Sequence, residues 1–242
     1  MPQNDIYQQL AEMIDREDVV GGPVTPAMLR LLKLQFTPEE AELATRITLT
    51  GGTLDELASR LEMDKTRLHR KLMVMADKGT IIYDPAADDP VYRCIGMVAG
   101  GLTETGLWGG IRFPFSVQLG KELNQLSKDH AEGALAKLGF LFTPVWAGML
   151  ALPDDALPEE NLAEAVRDAG HWSVSLCPCR VSRALVTPED TCQHMMQTCV
   201  HTGALSRWAV KHGMARELTY DELVELLKEF NYNVIDTDED SD

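Results

Sequence analysis

Apolar residues recur at helical spacing from the start of the chain. Ile6, Leu10, Met13 and Ile14 share one face before the break at Gly21-Gly22-Pro23, which predicts a short packing arm. Thr25-Pro26 and Thr37-Pro38-Glu39-Glu40 each place a capping threonine before a proline at the first helical position. The second completes a capping box through Glu40, and helices are expected over 26–35 and 38–48. Thr53-Leu54-Asp55-Glu56 boxes a third helix with Leu54, Leu57 and Leu61 on one face, and Asp64 caps a fourth over 65–78. Leu68, Leu72 and Met75 of that helix face inward, and Gly79 ends it. Residues 80–83 and 91–95 read as two strands around the turn 84–90. Helix, helix, turn, helix and hairpin is the order of a winged helix.

Beyond the hairpin the pattern loosens. Residues 97–116 hold five glycines and no usable period, so an irregular strap is expected there. Helical spacing returns over 117–138, and Pro153-Asp154-Asp155-Ala156-Leu157-Pro158 marks a second boundary before an amphipathic helix at 159–169 that ends at Gly170. A strand over 172–176 then delivers the chain to Cys177. Thr187-Pro188-Glu189-Asp190 predicts a helix that carries Cys192 toward Cys199, with further helices at 204–212 and 220–231. The last is boxed by Thr219 and Glu222, and the tail DTDEDSD reads as a solvated end.

Composition narrows the classes. The 242 residues are 45% hydrophobic and 25% charged, enough for a real core and two modules. No apolar run approaches the roughly 20 residues that a spanning helix needs, and the N-terminus lacks the basic-then-apolar signal pattern, so a cytoplasmic protein with no membrane span is expected. The net charge of −16 repels nucleic acid and anionic membrane at long range. The sequence contains neither G-x-x-x-x-G-K-[ST] nor G-x-G-x-x-G, and no spacing assembles a hydrolytic site.

The strongest chemical signal is C-P-C-R at Cys177 to Arg180, followed by Cys192 after twelve intervening residues and Cys199 after six more. In a reducing compartment such a cluster reads as metal ligation before disulfides, and thiolates select zinc, copper(I) or iron–sulfur clusters. Tetrahedral zinc brings its sulfurs to roughly 3.8 Å of one another and favours tight C-x-x-C knuckles. Here Cys177 and Cys179, if extended, have Cα atoms about 6.6 Å apart. On a continuing helix, Cys192 and Cys199 stand roughly 10 Å apart. A wider cubane cluster spans these more easily; structural zinc and ordinary buried thiols are the alternatives. Cys94, between Arg93 and Ile95 of a predicted strand, reads as a small core residue.

The surroundings suit an anionic centre. From 171 to 213, Arg180, Arg183, Arg207 and Lys211 outnumber Glu189 and Asp190, a basic island in an acidic chain. Arg180 and Arg183 are the expected charge partners, and His171, His194, His201 and His212 are placed to bond sulfurs or gate protons, with His194 the nearest to Cys192 in sequence.

FTPEEAELATRI with TLDELASRLEMDKTRLHRKLMVMADKGTI, and CPCR with Cys192, Cys199 and GMARELTYDELVELL, resemble the winged-helix 4Fe-4S-binding, ferredoxin-like electron-transfer proteins of anaerobic bacteria and archaea. The resemblance covers about two-thirds of the chain and is loosest at GLTETGLWGGIRFPF. It implies that Cys177, Cys179, Cys192 and Cys199 ligate one 4Fe-4S cluster and that the winged helix contacts a partner or, as a homodimer, itself. The arrangement does not match the C-x2-C-x2-C-x3-C-P run of compact ferredoxins.

The expected fold is mainly α with small β elements (α+β), an N-terminal winged helix plus a C-terminal helical iron–sulfur domain. Its parts are a helical arm (1–24), the winged helix (25–96), a strap and connecting helix (97–158), the cluster domain (159–235) and an acidic tail (236–242). The expected role is one-electron transfer with a redox protein or oxidoreductase subunit rather than self-contained catalysis. The second reading is a redox-sensing regulator that binds DNA through Lys65, Arg67, Arg70 and Lys71 of the fourth helix. Asp88 and Asp89 at the wing tip, together with the net charge, disfavour it.

Overall fold

Capping chemistry sets the first half of the chain. In this computed structural model, which describes residues 5–17, 24–96, 101–102, 104–110, 117–126, 166–187 and 196–235, helices α1 (Ile6–Glu17), α2 (Pro26–Gln35), α3 (Pro38–Ile47), α4 (Leu54–Leu61) and α5 (Lys65–Asp77) follow the predicted order. Thr37 and Thr53 close reciprocal capping boxes with Glu40 and Glu56, and Thr25 and Asp64 accept backbone N–H groups of the turns they open. Helix α1 extends further than expected and packs against α2 and α3 with Leu10, Ala11, Met13 and Ile14 buried. Strands β1 (Ile81–Ile82) and β2 (Arg93–Cys94) pair antiparallel, and a bridge between Gly52 and Tyr92 ties them to the α3–α4 turn. Gly51 at φ +74° lets that turn pass Tyr92, whose carbonyl oxygen would lie 2.2 Å from any Cβ.

The strap contains a helix. Residues Thr105–Gly110 form α6, and the glycines that suggested a loop are packing glycines. A Cβ at Gly106 would meet Gln35 Nε2 at 1.9 Å and one at Gly109 would meet the Lys78 carbonyl oxygen at 2.3 Å, so α6 lies flush on α2 and the end of α5. Thr105 Oγ1 secures it by donating to the Gly79 carbonyl at 2.7 Å. Helix α7 covers 117–126, and the last turn of the helix expected at 159–169 is present at 166–168, before Gly170 at φ +69°. The rest of both expected helices, and the acidic tail, lies outside the described residues.

A three-stranded antiparallel sheet of order β4-β3-β5 forms the second half, from β3 (Trp172–Leu176), β4 (Gln197–Thr202) and β5 (Ala215–Leu218). Around it lie α8 (Pro178–Val186), α9 (Gly203–Lys211) and α10 (Tyr220–Ile235). Three expectations are corrected here. Helix α8 starts at C-P-C itself, because Pro178 is preset for the first helical position, and Thr187 caps its C-terminus; the helix expected to open at Thr187-Pro188 lies outside the described residues. Cys199 sits on a strand, so the helix expected to carry the chain toward it does not reach Cys199. Strand β5 was not anticipated, since Ala215-Arg216-Glu217-Leu218 has charged residues on its exposed positions and gains its strand from pairing with β3.

Strand β3 alternates by face. Val174 packs with Val166, Leu218 and Leu223 in a small cluster that Trp172 and Tyr220 cover. Ser173 and Ser175 face the other way, to Ser206 of α9 at 2.8 Å and to His201 at 2.7 Å. The main core runs without a break from α1 to Trp208, Ala209 and Met214, so both halves share it. Polar ties cross the same seam. Arg207 of α9 holds Asp84 by two bonds of 2.8 and 2.6 Å, and His212 bridges Asp77 at 2.6 Å and the Tyr83 hydroxyl at 3.2 Å. The fold is therefore α+β with small antiparallel sheets, and among the described residues no helix is long and apolar enough to cross a membrane.

Two outcomes test this packing. Arg207 and the Ala86 N–H hold Asp84 at about 2, against 3.8 ordinarily. The unfolded chain therefore binds a proton first as pH falls, and the stability from this pair is full above pH 4 and lost on the way to pH 2. Asp84→Asn should cost about 1 kcal/mol at pH 7 in urea denaturation, with the difference vanishing near pH 2. Gly109→Ala should destabilise by about 1–3 kcal/mol in spite of alanine's better helix propensity, since the obstacle is backbone.

Candidate metal centre

Three of the four clustered cysteines meet where β3 ends. Pro178 cannot continue the strand, so Cys177 becomes the extended residue before α8 and Cys179 falls in the first helical turn. Cys177 is thus not in line with Cys179 along an extended segment, as the sequence suggested; Cys179 follows two residues later inside the first helical turn. Pairing of Ser175 with Cys199 brings β4 alongside, and the register slips between Ser175 and Leu176, which pairs with Gln197. Thr198 is the extra residue of this bulge, and the Cys177 N–H donates to the Met196 carbonyl at 2.7 Å just past it.

The thiols act on one another. Cys177 is close enough to Cys179 and Cys199 to raise the thiols of both. Burial, then the neighbouring Cys177 and Glu104, raise the Cys179 thiol above its ordinary value. Cys179 nonetheless keeps an open face to solvent. Cys199 is raised more strongly, again by burial first and then by Cys177, Glu104 and Cys179. Three thiols gathered around a helix N-terminus, where backbone N–H groups favour negative charge, are donors of the kind that a thiophilic metal takes. Among the described residues, no group of three or more His, Cys, Asp or Glu side chains closes on a single ion. Cys192 and His194 lie outside the described residues.

The other expected residues divide. Arg180 donates to Thr198 Oγ1 at 3.1 Å, which sets its guanidinium beside the bulge that precedes Cys199. Arg183 lies one turn further along α8. The histidines are engaged elsewhere. His201 is buried, bonded to Ser175 and stacked edge-on to Trp108 at 4.6 Å, and burial lowers it to about 4. His171 joins Ser206 at 2.9 Å and Glu217 at 3.2 Å, and His212 ties α9 to α5. These three fasten strands and helices rather than line the sulfurs. Cys94 is buried on β2 and pushed up to about 12 by desolvation, an inert core thiol as expected.

Sequence reasoning missed the contribution of α6. Trp108 Nε1 donates to the Leu176 carbonyl at 2.8 Å, directly before Cys177, while its ring covers His201, two residues after Cys199. Glu104, one helical turn earlier, is the carboxylate that acts on Cys179 and Cys199. The available signal was Glu104 and Trp108 at i, i+4, which glycine content obscured.

No family model matches the chain, and neither a curated protein nor a solved structure matches it. The centre is accordingly read from this chain's own residues. Trp108→Phe keeps the ring but strands the Leu176 carbonyl, and should cost about 1–2 kcal/mol in urea denaturation.

Proposed function

We propose that this chain is an iron–sulfur protein whose Cys177, Cys179, Cys192 and Cys199 hold one 4Fe-4S cluster, and that it works in one-electron transfer with a partner oxidoreductase in the cytoplasm. The observation that carries this reading is the meeting of Cys177, Cys179 and Cys199 from a strand end, a helix start and an opposed strand. Such a cluster supplies a centre that gains and loses a single electron with little rearrangement. The chain's own part is to bind it, offset its charge and limit water. The start of α8, with Cys177 at its cap and Cys179 in its first turn, is the helix end that favours negative charge, and Arg180 adds a cation beside Thr198. Trp108 and Leu176 wall one side.

In this reading α2 to α5 with β1 and β2 form a winged helix used for partner or self contact. The cations of α5 support contact with protein over DNA. Lys65 pairs with Asp55, Lys71 with Glu39 at 3.8 Å and Lys78 with Glu40. The hairpin turn is drawn onto α9 through Asp84 and Arg207. Phosphate contact would have to break these pairs, while Arg67 and Arg70 alone stay exposed without an acidic partner among the described residues.

The test is anaerobic purification with iron, zinc and sulfide analysis. About four irons and four sulfides per chain are expected, with absorbance near 400 nm that dithionite bleaches. Cys199→Ser should lose most of that absorbance while α1 to α5 stay folded by circular dichroism. One zinc without sulfide, or no metal at all, overturns the reading. Salt-dependent binding of duplex DNA that Arg67→Glu with Arg70→Glu abolishes would overturn the electron-transfer role and leave the regulator.

A further inference from the structure

A cleft of about 420 Å³ lies between the β1–β2 hairpin and the start of α9, away from the thiols. Strand alternation gives it an apolar wall. Ile82 and Arg93 are register partners and so share a face, and Val91 precedes Arg93 by two residues on that same face, while Ile81, Tyr92 and Cys94 turn into the core. Leu205 and Trp208 of α9 close the other side. Val91 is 46% exposed, so the hairpin side of the cleft is open to solvent. Its volume falls in the range of roughly 300–1,000 Å³ that small-molecule sites occupy, with room for a molecule of about ten non-hydrogen atoms.

The donors on this cleft have no acceptors. Arg93 is exposed, and its side chain makes no ion pair or hydrogen bond among the described residues. Gly51 packs against the Arg93 Cβ, and the preceding Thr50 joins Arg93 in the lining. Thr202 at the cap of α9 makes no side-chain bond, and Ala204 and Leu205 of the first turn line the cleft, so an uncapped helix start adds positive potential there. Trp208 is fully buried in the wall, and its indole N–H has no acceptor in the protein. Buried donors in native folds are nearly always satisfied, and an orphan in a cleft wall points to an acceptor brought by a ligand.

The carboxylates on the rim limit what that ligand can be. Asp84 is already held by Arg207 through two bonds, but Asp89 has no cation paired with it among the described residues and opposes a second negative charge. The apolar wall in turn favours a hydrocarbon body over a bare ion. We propose that this cleft binds a small monocarboxylate with an aromatic or branched apolar body, its carboxylate taken by Arg93 and its body laid on Ile82, Val91 and Leu205. The site is independent of the metal centre. Because its walls come from the hairpin and from α9, a bound acid adds a contact across the seam that Asp84 and Arg207 also cross, and it stabilises the fold by mass action.

Calorimetric titration of the full-length chain with phenylacetate, isocaproate and benzoate, and with neutral phenylacetamide as the control, tests the site. At least one acid should bind with Kd below about 1 mM and raise the melting temperature, and phenylacetamide should bind at least about 10-fold more weakly than phenylacetate. Arg93→Gln and Val91→Asp alter exposed side chains, so both should melt as the wild type does without ligand. Each should weaken the acid about 10-fold or more, and Arg93→Lys should recover part of the loss by keeping the charge. In proton–nitrogen correlation spectra, the indole resonance that Trp208→Phe removes should move when the acid is added. Failure of all three acids to bind by about 10 mM overturns the inference. Binding that Arg93→Gln leaves unchanged, that phenylacetamide matches, or that does not move the Trp208 resonance overturns it as well. Iron, zinc and sulfide content is read separately and decides only the metal reading.

Discussion

The antiparallel register of β3 against β4 is the constraint on which the rest of the centre depends. Side chains alternate along a strand, so a slip of one residue would carry Cys199 to the opposite face and Ser175 away from His201. Strand β3 is paired on both sides and has its serine face bonded to α9 and its valine face packed on α10, which leaves no freedom to slip. The bulge at Thr198 is a local exception at the end of the ladder, where the chain must turn three thiols toward one place.

Proline decides what happens next. A strand running through Cys177 would have spaced the first two cysteines along one edge. Pro178 ends that course and begins α8, which converts the C-P-C sequence into a strand end followed by a helical turn. Cys177 caps that helix and Cys179 falls in its first turn, at the helix end that favours negative charge. One residue thus sets both the geometry and the local potential of the candidate centre.

The two halves of the molecule are joined through shared core and specific polar ties rather than tethered by a linker. Trp208 lies fully buried in the same cluster as the helices of the first half, and Arg207 and His212 on either side of it bind Asp84, Asp77 and Tyr83. Helix α9 begins directly after β4, so the strand that carries Cys199 is continuous with the helix that grips the hairpin and α5. Helix α6 makes the reverse link, from the end of α5 back to Leu176. The candidate centre is consequently built by residues from both halves.

The sequence by itself determined the helices of the first half, because capping threonines, N1 prolines and apolar faces are local features that act over a few residues. It also marked Cys177, Cys179, Cys192 and Cys199 as a group, and Cys94 as a core thiol. Tertiary structure alone decided the rest. Helix α6 was illegible because its glycines answer to the Lys78 backbone and Gln35, neither of which is near in sequence. Strand β5 and the strand that bears Cys199 follow from pairing with β3, a long-range hydrogen-bonded ladder that outweighs weak local preference. The roles of His171, His201 and His212 were likewise settled by packing, since a side chain's charge and hydrogen-bond partners are fixed by what lies near it in space.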